Sequence, residues 1–503
     1  MTFSVQFSTR DFSVPVLIGL QAEPIRLDWS AYGGPERALI RMTGDEGELI
    51  DLPRLLRSPV MINDRAGSPV WWGYVEEVDI FLDRVRFRVY LDTLYNKVSV
   101  RYGFISPDHT SEAVLVTEFA NNIRSQAEFG VKEIVLHREG VDDVFSENLR
   151  DTFLKAVAWP KTTLSQQSKP GKPHALVRCA GWFKTLSWLP YQNGEGFYAN
   201  TGSSPGTFTF GQSTSYQNPS QVFTPGASGS LKAAYFQLRG VGDPSRDLNA
   251  QLRDASGALL AVSEGVSGST LSNISYRWVK FSFTAPYNLA AGTSYMIGVT
   301  GNTPDPARYF AIRTDENQGY ENGFGRYYNG ASWGNLPSIT NPGGAPDLLF
   351  RALCITDTGA QISAIANAGN QFFTRITTPD TEVLICPFRD NGFDCLKEIK
   401  ALMALGTTRQ RKLFARVLPE RQLDFYEQPD PDSPSVYLSA RGQFFTCQGT
   451  ALREYFPPVG QFACYSGSSR IMLPFDKHRV PVCFIERASY WPKTGKVVIN
   501  SSS

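Results

Sequence analysis

The chain is poor in the residues and motifs on which most enzymes and metal proteins depend. It has 4 histidines among 503 residues, and none belongs to an H-E-x-x-H motif or stands with cysteine at zinc-ligand spacing. It contains no G-x-S-x-G motif and no Walker loop, because PKTGKVV lacks the upstream glycine at the required distance. Two catalytic carboxylates can be far apart in a sequence, so the absence of a closely spaced acidic pair does not exclude an enzyme. An enzyme is nevertheless the weaker interpretation, and no metal site or cofactor is evident.

Paired cysteines, excess charge and long apolar runs are also lacking. The 7 cysteines form no C-x-x-C pair, which favours reduced, buried thiols and assembly in a cytoplasm. The 49 basic and 48 acidic residues nearly cancel, so nothing global attracts the protein to nucleic acid or an anionic membrane. The N-terminal MTFSVQFSTRDFSVPVLIGL has no charged leader before a long apolar core. We therefore expect neither membrane insertion nor an export signal.

The first part of the chain has the pattern of antiparallel β-structure. A chain of 503 residues is too long for one core, and residues 1–105 read as its first β-domain. We predict a strand over 60–62, a long strand through Val78, and a third over 85–91 in which apolar and polar residues alternate. Trp71 and Trp72 are neighbours on the long strand and must face opposite sides. We expect one in the core and one at a partner, which makes both candidate oligomer-interface residues.

Helical spacing replaces this pattern in two places. A helix is predicted from Thr110 or Ser111 as the cap to Gly130, and another from Asp394 as N-cap to Gly406. The segment KLFARVLPERQLDFYEQ then predicts two strands around residues 419–421. A basic group near this point fits a solvated strand edge better than a phosphate or acidic-partner site. Its members are Arg409, Arg411, Lys412 and Arg416.

Residues 203–353 differ in composition from both flanks. They are rich in Gly, Ser, Thr and Asn, and short strand-like segments such as LKAAYFQLRG, YRWVKFSFTAP, TSYMIGVTG and RYFAIRTD alternate with turn signals. This pattern is typical of a β-sandwich of the jelly-roll type. The segments CAGWFKTLSWLPYQ and LCITDTGAQISAIANAG on either side return to the composition of the flanking regions. The sandwich is therefore expected to be inserted into a host domain.

The outer segments occur in an order that resembles a known family. PRLLRSPVMINDRAGSPVWWGYVEEV, LDTLYNKVSVRYG, CAGWFKTLSWLPYQ and the helix-hairpin segment FDCLKEIKALMALGTTRQRKLFARVLPERQLDFYEQP together resemble the hub proteins at the tail tip of long-tailed bacteriophages. The resemblance covers most of the chain outside the insert and rests on pattern and order. It implies two tube-like β-barrels per chain, so that a trimer presents six barrels to the hexameric tail tube.

The resemblance also implies domain bounds and partners. The expected fold is mainly β with α+β parts. The expected domains are a first barrel over 1–105, completed by 172–202 and 354–375, a helical hub domain over 106–171, the insert, and a second barrel with helix and hairpin over 376–503. The expected partners of the homotrimer are tail-tube, distal tail, tail-tip fibre and tape-measure proteins. Phage DNA would pass through the lumen without specific binding, and the protein would be assembled in the host cytoplasm and reside in the virion.

The insert resembles the carbohydrate-binding jelly rolls of phage tail proteins and secreted glycosidases. The resemblance is carried by the strand over 277–281, by LAAGTSYMIGV, by GRYYNGASW and by DLLFRAL. It implies binding of a host-surface glycan. Calcium is common in such domains, and Asp347 or Asp315 would be a ligand.

The stretch GRYYNGASWGN at 325–335 is the source of the candidate binding residues. Its Asn-Gly dipeptide predicts two positive φ values in a tight turn, so that the aromatic residues alternate across a hairpin and at least one is core. The remaining aromatic, with a nearby arginine and tyrosine, would stack on a sugar ring. The candidate glycan-binding residues are Tyr320, Arg326, Tyr327 and Trp333.

Two other classes of protein compete with a structural hub. A secreted polysaccharide-degrading enzyme with a carbohydrate-binding module predicts an export signal and a catalytic carboxylate pair. A bacterial surface adhesin predicts an anchor or a repeat array. We favour the non-enzymatic tail-tip hub.

Overall fold

The computed structural model describes residues 3–105, 112–167, 170–202, 204–301, 303–338, 344–430, 434–439, 441–453, 457–465 and 482–502. The protein is mainly β, with 48% of its residues in strands and 13% in helices. No helix of the described part is long and apolar enough to cross a membrane. The chain divides into a first unit, residues 1–191, 362–381 and 392–503, and a second unit, residues 192–361 and 382–391.

The strands are numbered in chain order. Up to residue 180 they are β1 (Ser4–Ser8), β2 (Pro15–Val16), β3 (Gln21–Ser30), β4 (Tyr32–Thr43), β5 (Pro59–Asn63), β6 (Pro69–Leu82), β7 (Val85–Tyr90), β8 (Lys97–Ile105), β9 (Glu112–Val116), β10 (Ala120–Asn121), β11 (Glu133–Glu139), β12 (Lys161–Gln166) and β13 (His174–Ala180). From there to residue 357 they are β14 (Phe197–Asn200), β15 (Pro205–Phe210), β16 (Gln217–Phe223), β17 (Gly229–Val241), β18 (Asp247–Asp254), β19 (Leu259–Val262), β20 (Val266–Ser267), β21 (Arg277–Leu289), β22 (Tyr295–Thr300), β23 (Tyr309–Asp315), β24 (Gly325–Tyr328), β25 (Trp333–Asn335), β26 (Asp347–Leu348) and β27 (Phe350–Asp357). The last are β28 (Arg375–Thr377), β29 (Leu384–Ile385), β30 (Leu413–Val417), β31 (Gln422–Glu427), β32 (Val436–Leu438), β33 (Phe444–Thr446), β34 (Phe462–Tyr465), β35 (Val482–Trp491) and β36 (Lys496–Ser502).

The helices are few and short. The α-helices are α1 (Glu46–Ile50), α2 (Ile123–Phe129), α3 (Asp143–Val157), α4 (Thr358–Ala368) and α5 (Cys395–Met403). Within the described residues, 3₁₀ turns span Leu52–Leu55, Trp182–Trp188 and Gly268–Thr270.

The long strand β6 organises the sheet of the first unit. It pairs with β5 along its first half and β7 along its second half, and with β13 along its other edge, always antiparallel. The sheet continues from β13 to β4 and β3. The strands predicted over 60–62, through Val78 and over 85–91 are confirmed as β5, β6 and β7.

Strands from the C-terminal segment extend the same sheet. Strand β35 pairs with β3, and β30 runs parallel to β4. Phe414, Phe462 and Phe484 pack there as a buried aromatic cluster with Ala31. The described N-terminal and C-terminal segments are thus joined by backbone hydrogen bonds within the first unit.

The region predicted to be a helical domain, 106–171, contains both helices and strands where it is described. Strands β9, β10 and β11 all pair with β8, and β12 pairs with β7 of the large sheet. The helix predicted up to Gly130 is wrong over its first part, because 112–116 is a strand that satisfies its hydrogen bonds on β8. Its last part is α2, which begins after the N-cap Asn122 and ends at Gly130. Thr110 and Ser111 lie outside the described residues.

The second predicted helix and the hairpin after it are confirmed. Helix α5 begins after Asp394, whose side chain accepts a hydrogen bond from the backbone N–H of Lys397. Strands β30 and β31 form the expected antiparallel pair.

The second unit consists of two sheets that enclose one core. Among the residues that the structure describes, one sheet has eight strands, with the path β14-β27-β17-β23-β15, and the other has seven, with the path β19-β18-β22-β16-β24-β25. Inward-facing residues of both sheets, including Phe223, Phe236, Phe281 and Phe350, fill the space between them. The unit is wider than the predicted insert 203–353, because β14 and β27 pair with each other. Of the segments implied to complete the first barrel, residues 192–202 and 354–361 belong to this second unit, whereas 172–191 and 362–375 belong to the first unit.

Candidate functional site

The hairpin formed by β24 and β25 differs from the predicted tight turn. Tyr328 pairs with Trp333, so the loop has four residues, Asn329–Ser332. In this loop Gly330 has a positive φ, +93°, whereas Asn329 has not. The Asn329 side chain instead accepts hydrogen bonds from the backbone N–H groups of Ala331 and Ser332, at 3.0 and 2.8 Å. The predicted two-residue turn is therefore wrong, because asparagine here stabilises a longer loop through its side chain.

Two of the four candidate residues face the core of the second unit. The ring of Tyr327 lies 5.5 Å from Phe208 and 5.9 Å from Tyr216, measured between centroids. Tyr320 packs edge-on against Phe350 at 5.1 Å. Burial, together with nearby carboxylates, raises the pKa of Tyr320 to about 12. Both tyrosines serve packing first, as was expected for at least one aromatic residue of the hairpin.

Arg326 and Trp333 lie on the other face of the hairpin. Arg326 Nη2 donates to the carbonyl of Trp333 at 3.1 Å, and Nη1 lies 3.8 Å from the sulfur of Met296. Tyr328 packs against Trp333 with 5.6 Å between ring centroids. The structure thus brings Arg326 and Trp333 together and adds Tyr328, which was not among the candidate residues.

A second arginine, Arg253 of β18, completes what we call the outer-face cluster: Arg253, Arg326, Tyr328 and Trp333. Arg253 donates to the carbonyl of Gly257 at 2.8 Å and to the side-chain oxygen of Gln251 at 2.5 Å. Its guanidinium carbon lies 5.5 Å from the centroid of the Trp333 ring. Because three strands separate β18 from β25 in the sheet, this contact means that the hairpin curls over the outer face.

The cluster is positively charged and suited to binding. Neither arginine forms an ion pair with a carboxylate in the described part of the chain, and both Nε atoms are buried without a hydrogen-bond partner there. Burial lowers the pKa of Arg253. The four side chains provide two planar donor groups and two aromatic faces, and no carboxylate, imidazole or thiol. This chemistry fits a polar ring with hydroxyl substituents.

Sequence periodicity contained a signal for Arg253 that we had not used. In LNAQLRD, Leu248, Ala250 and Leu252 are fully buried, so Gln251 and Arg253 must point outward. Periodicity could not predict the contact between Arg253 and Trp333.

The adjacent tryptophans of the first unit face opposite sides, as expected. Trp71 is fully buried and donates from Nε1 to the carbonyl of Asp28 at 3.3 Å. Trp72 is half-buried and donates to the carbonyl of Val417 at 3.0 Å. It lines a groove of about 950 Å³ with Trp29 and other residues of the first unit. Of the two candidate interface residues, only Trp72 offers exposed surface.

The two aspartates considered for calcium are neighbours, but their surroundings do not fit a cation. Asp315 and Asp347 are paired across β23 and β26, and both are buried. Asp347 accepts hydrogen bonds from the Gln221 side chain at 2.8 Å and the Tyr320 backbone at 3.0 Å. Asp315 accepts from Asn200 and the Ser204 backbone. The carboxylate oxygens that calcium would need as ligands thus accept hydrogen bonds from N–H donors. Burial also raises the pKa of Asp347.

The basic residues near the β30–β31 hairpin, which follows α5, mostly form ion pairs with acidic residues of the first unit. Arg411 contacts Asp430 at 3.2 Å, Arg416 contacts Asp424 at 2.7 Å, and Arg409 lies 4.0 Å from Glu427. These pairs favour the interpretation as a solvated strand edge.

Comparison with known proteins gives only remote likenesses. No protein-family model and no curated protein matches the chain. An insecticidal crystal protein of Bacillus thuringiensis, Cry7Ca1, is 6% identical at a TM-score of 0.16, over 59% of this chain and 52% of that one. A glycoside hydrolase family 43 arabinoxylan arabinofuranohydrolase from Bacillus subtilis is 12% identical at 0.13, over 55% and 63%. The infectious bursal disease virus VP2 subviral particle is 7% identical at 0.15, over 66% and 79%.

The chain therefore spans between half and two thirds of the length of the first two of these proteins. With TM-scores below 0.2, none of the three likenesses bears on the fold or the function of this chain.

Proposed function

We propose that this protein is a non-enzymatic structural hub of a phage tail tip, whose second unit is a carbohydrate-binding sandwich of the jelly-roll type. In this proposal three chains assemble and join the hexameric tail tube to the host-recognition apparatus. In this assembly the first unit of each chain would act as two tube-like barrels, whose N-terminal and C-terminal strands are joined by hydrogen bonds between β3 and β35. Phage DNA passes through the lumen, and tail-tube, distal tail, fibre and tape-measure proteins are the neighbours.

The observation that carries the glycan-binding part is the outer-face cluster. Trp333 and Tyr328 offer half-buried aromatic faces beside Arg253 and Arg326, which have no carboxylate partner in the described residues. An aromatic face packs on the C–H groups of a sugar ring, and planar guanidinium groups donate to its oxygens. One such site binds weakly, and three sites on a trimer gain affinity through avidity.

The organisation of the chain supports the hub part. The first unit is assembled from three separate segments of the chain, and the second unit from two. The second unit is therefore inserted into the sequence of the first. Six equivalent barrels from three chains would resolve the mismatch between a threefold tip and a sixfold tube.

The mass of the full chain in solution tests the hub proposal. We expect a particle three times the 55.8 kDa mass of the chain, and rings with threefold symmetry in electron micrographs. A strictly monomeric protein at all concentrations, with no ring, would contradict it.

A glycan array probed with the full chain tests the binding proposal. We expect binding that is lost in Trp333→Ala and kept in Trp159→Ala, which truncates a tryptophan of the first unit that is 38% exposed. Equal binding by both variants would contradict a role for the cluster. A reducing-sugar assay on the same glycans should show no release, and release would favour the polysaccharide-degrading enzyme.

A further inference from the structure

The outer face of the eight-stranded sheet carries a second set of cations, distinct from the outer-face cluster. Lys280 and Arg351 flank Tyr235 on the two strands that pair with β17, and Arg313 lies opposite Thr207 on β15. Arg239 also points outward, because its neighbour Leu238 is part of the core. We call Arg239, Lys280, Arg313 and Arg351 the basic face.

Aromatic rings hold the three arginines of the basic face in place. The guanidinium carbon of Arg313 lies 4.2 Å from the centroid of Tyr276, and that of Arg239 lies 5.2 Å from the same ring. Arg351 lies 4.1 Å from the centroid of Trp278. Stacking orders these long side chains before any ligand arrives, so less side-chain entropy is lost on binding.

None of the four members of the basic face forms an ion pair with a carboxylate within the described ranges. The nearest acidic residue along the strand of Arg313 is Asp315, which is buried and accepts hydrogen bonds from Asn200 and Ser204. The three arginines are each partly buried, and a partly desolvated cation without a counter-ion is costly. An anionic ligand would offset this cost across three neighbouring strands.

We propose that the basic face binds an acidic polysaccharide through carboxylates carried on successive sugar units. The guanidinium groups cover the faces of Tyr276 and Trp278, so what the surface offers is forked N–H donors and not free aromatic planes. Forked donors match carboxylates in a bidentate manner, whereas single-stranded nucleic acid is held largely by bases that stack on open rings. This site lies on the sheet opposite the outer-face cluster and does not depend on it.

Binding of the full chain to polygalacturonate at low salt tests this proposal, with its methyl ester as the uncharged counterpart and poly(dT) as a competing polyanion. We expect binding to polygalacturonate that weakens with added salt and is absent for the ester. The double variant Arg313→Gln/Arg351→Gln should bind at least about tenfold more weakly, since two charge-assisted contacts are lost. Lys280→Glu reverses the charge of an exposed residue and should also weaken binding. Lys400→Gln, which removes an exposed charge from the first unit, should not.

The same experiment separates the two glycan-binding surfaces. Trp333→Ala should leave binding to polygalacturonate unchanged, and the basic-face variants should leave the glycan-array signal of the outer-face cluster unchanged. Melting curves identify any variant that fails to fold, and Lys280→Glu then remains the deciding one. Equal affinity of wild type and Lys280→Glu, equal binding of the methyl ester, preference for poly(dT), or no binding to polygalacturonate would each overturn the proposal.

Discussion

The guanidinium carbon of Arg253 lies 5.5 Å from the centroid of the indole ring of Trp333, although the two residues lie on strands separated by three others. Gly257, in the turn after β18, makes this contact possible. A Cβ atom on Gly257 would overlap the indole nitrogen of Trp333, and its φ of +99° is one that other residues rarely adopt. The shape of the outer-face cluster therefore depends on a glycine outside the hairpin.

Replacing this glycine should displace the indole. We expect Gly257→Ala to reduce glycan binding and to destabilise the second unit by more than backbone strain alone, measured by chemical denaturation and tryptophan fluorescence. Gly292→Ala is the matched control, because Gly292 has a φ of +70° and no atom within 4 Å of the added Cβ. It should cost about 1–2 kcal/mol and leave binding intact. Equal effects of the two substitutions would argue against the packing role of Gly257.

The aromatic core of the second unit should determine its stability separately from the first unit. Phe223 is fully buried and packs against Tyr198, Tyr295 and Phe350. We expect Phe223→Ala to lower the free energy of unfolding of this unit by about 3–5 kcal/mol, because a cavity remains. Calorimetry should show one transition shifted and another unchanged, since the chain forms two compact units. A single transition that shifts as a whole would show that the units unfold together.

The periodicity of apolar residues was sufficient to predict those strands and helices whose pattern of burial is evident from adjacent residues in the sequence. The alternation in VRFRVY predicted β7, and the Asp394 cap with its apolar spacing predicted α5. The helix expected over 112–116 failed because Val114 and Val116 also suit a strand, and pairing with β8 decided between the two states.

The candidate site was only half predictable for a similar reason. Arg326 and Trp333 are close in sequence, and their hairpin signal was strong. Arg253 joins them through the curl of the hairpin, which arises from a long-range contact with Gly257. No local pattern encodes such a contact.

A buried carboxylate between two arginines should stabilise the first unit. The Glu77 side chain is 6% exposed, accepts two hydrogen bonds from Arg88 at 2.8 and 2.6 Å, and also pairs with Arg178. We expect Glu77→Gln to lower the free energy of unfolding by about 1–2 kcal/mol, a modest cost because both arginines reach solvent. Asp51→Asn is the control, since Asp51 and Arg54 form a pair that is more than half exposed. It should change stability by less than about 0.5 kcal/mol in urea denaturation, and similar losses for both variants would contradict the argument.

Lys132 should make the stability of the first unit depend on pH in the alkaline range. Its Nζ donates to the carbonyl of Leu91 at 2.7 Å and lies 5.3 Å from the centroid of the Trp188 ring. Burial lowers the pKa of Lys132 to about 8, although Asp92 and Glu76 oppose the shift. Between this value and the ordinary lysine pKa of 10.5, the unfolded chain holds a proton that the folded chain has released. The contribution of Lys132 to stability therefore rises with pH across that window.

The variant Lys132→Met removes this titration and isolates it from other groups. The difference in unfolding free energy, variant minus wild type, should fall as the pH rises from 8 toward 10.5, with a slope of at most about 1.4 kcal/mol per pH unit. The value at any single pH also includes the lost hydrogen bond to Leu91, so the slope is the informative quantity. Urea denaturation of both proteins at several pH values measures it. A difference independent of pH would mean that Lys132 keeps its proton in the folded state throughout this range.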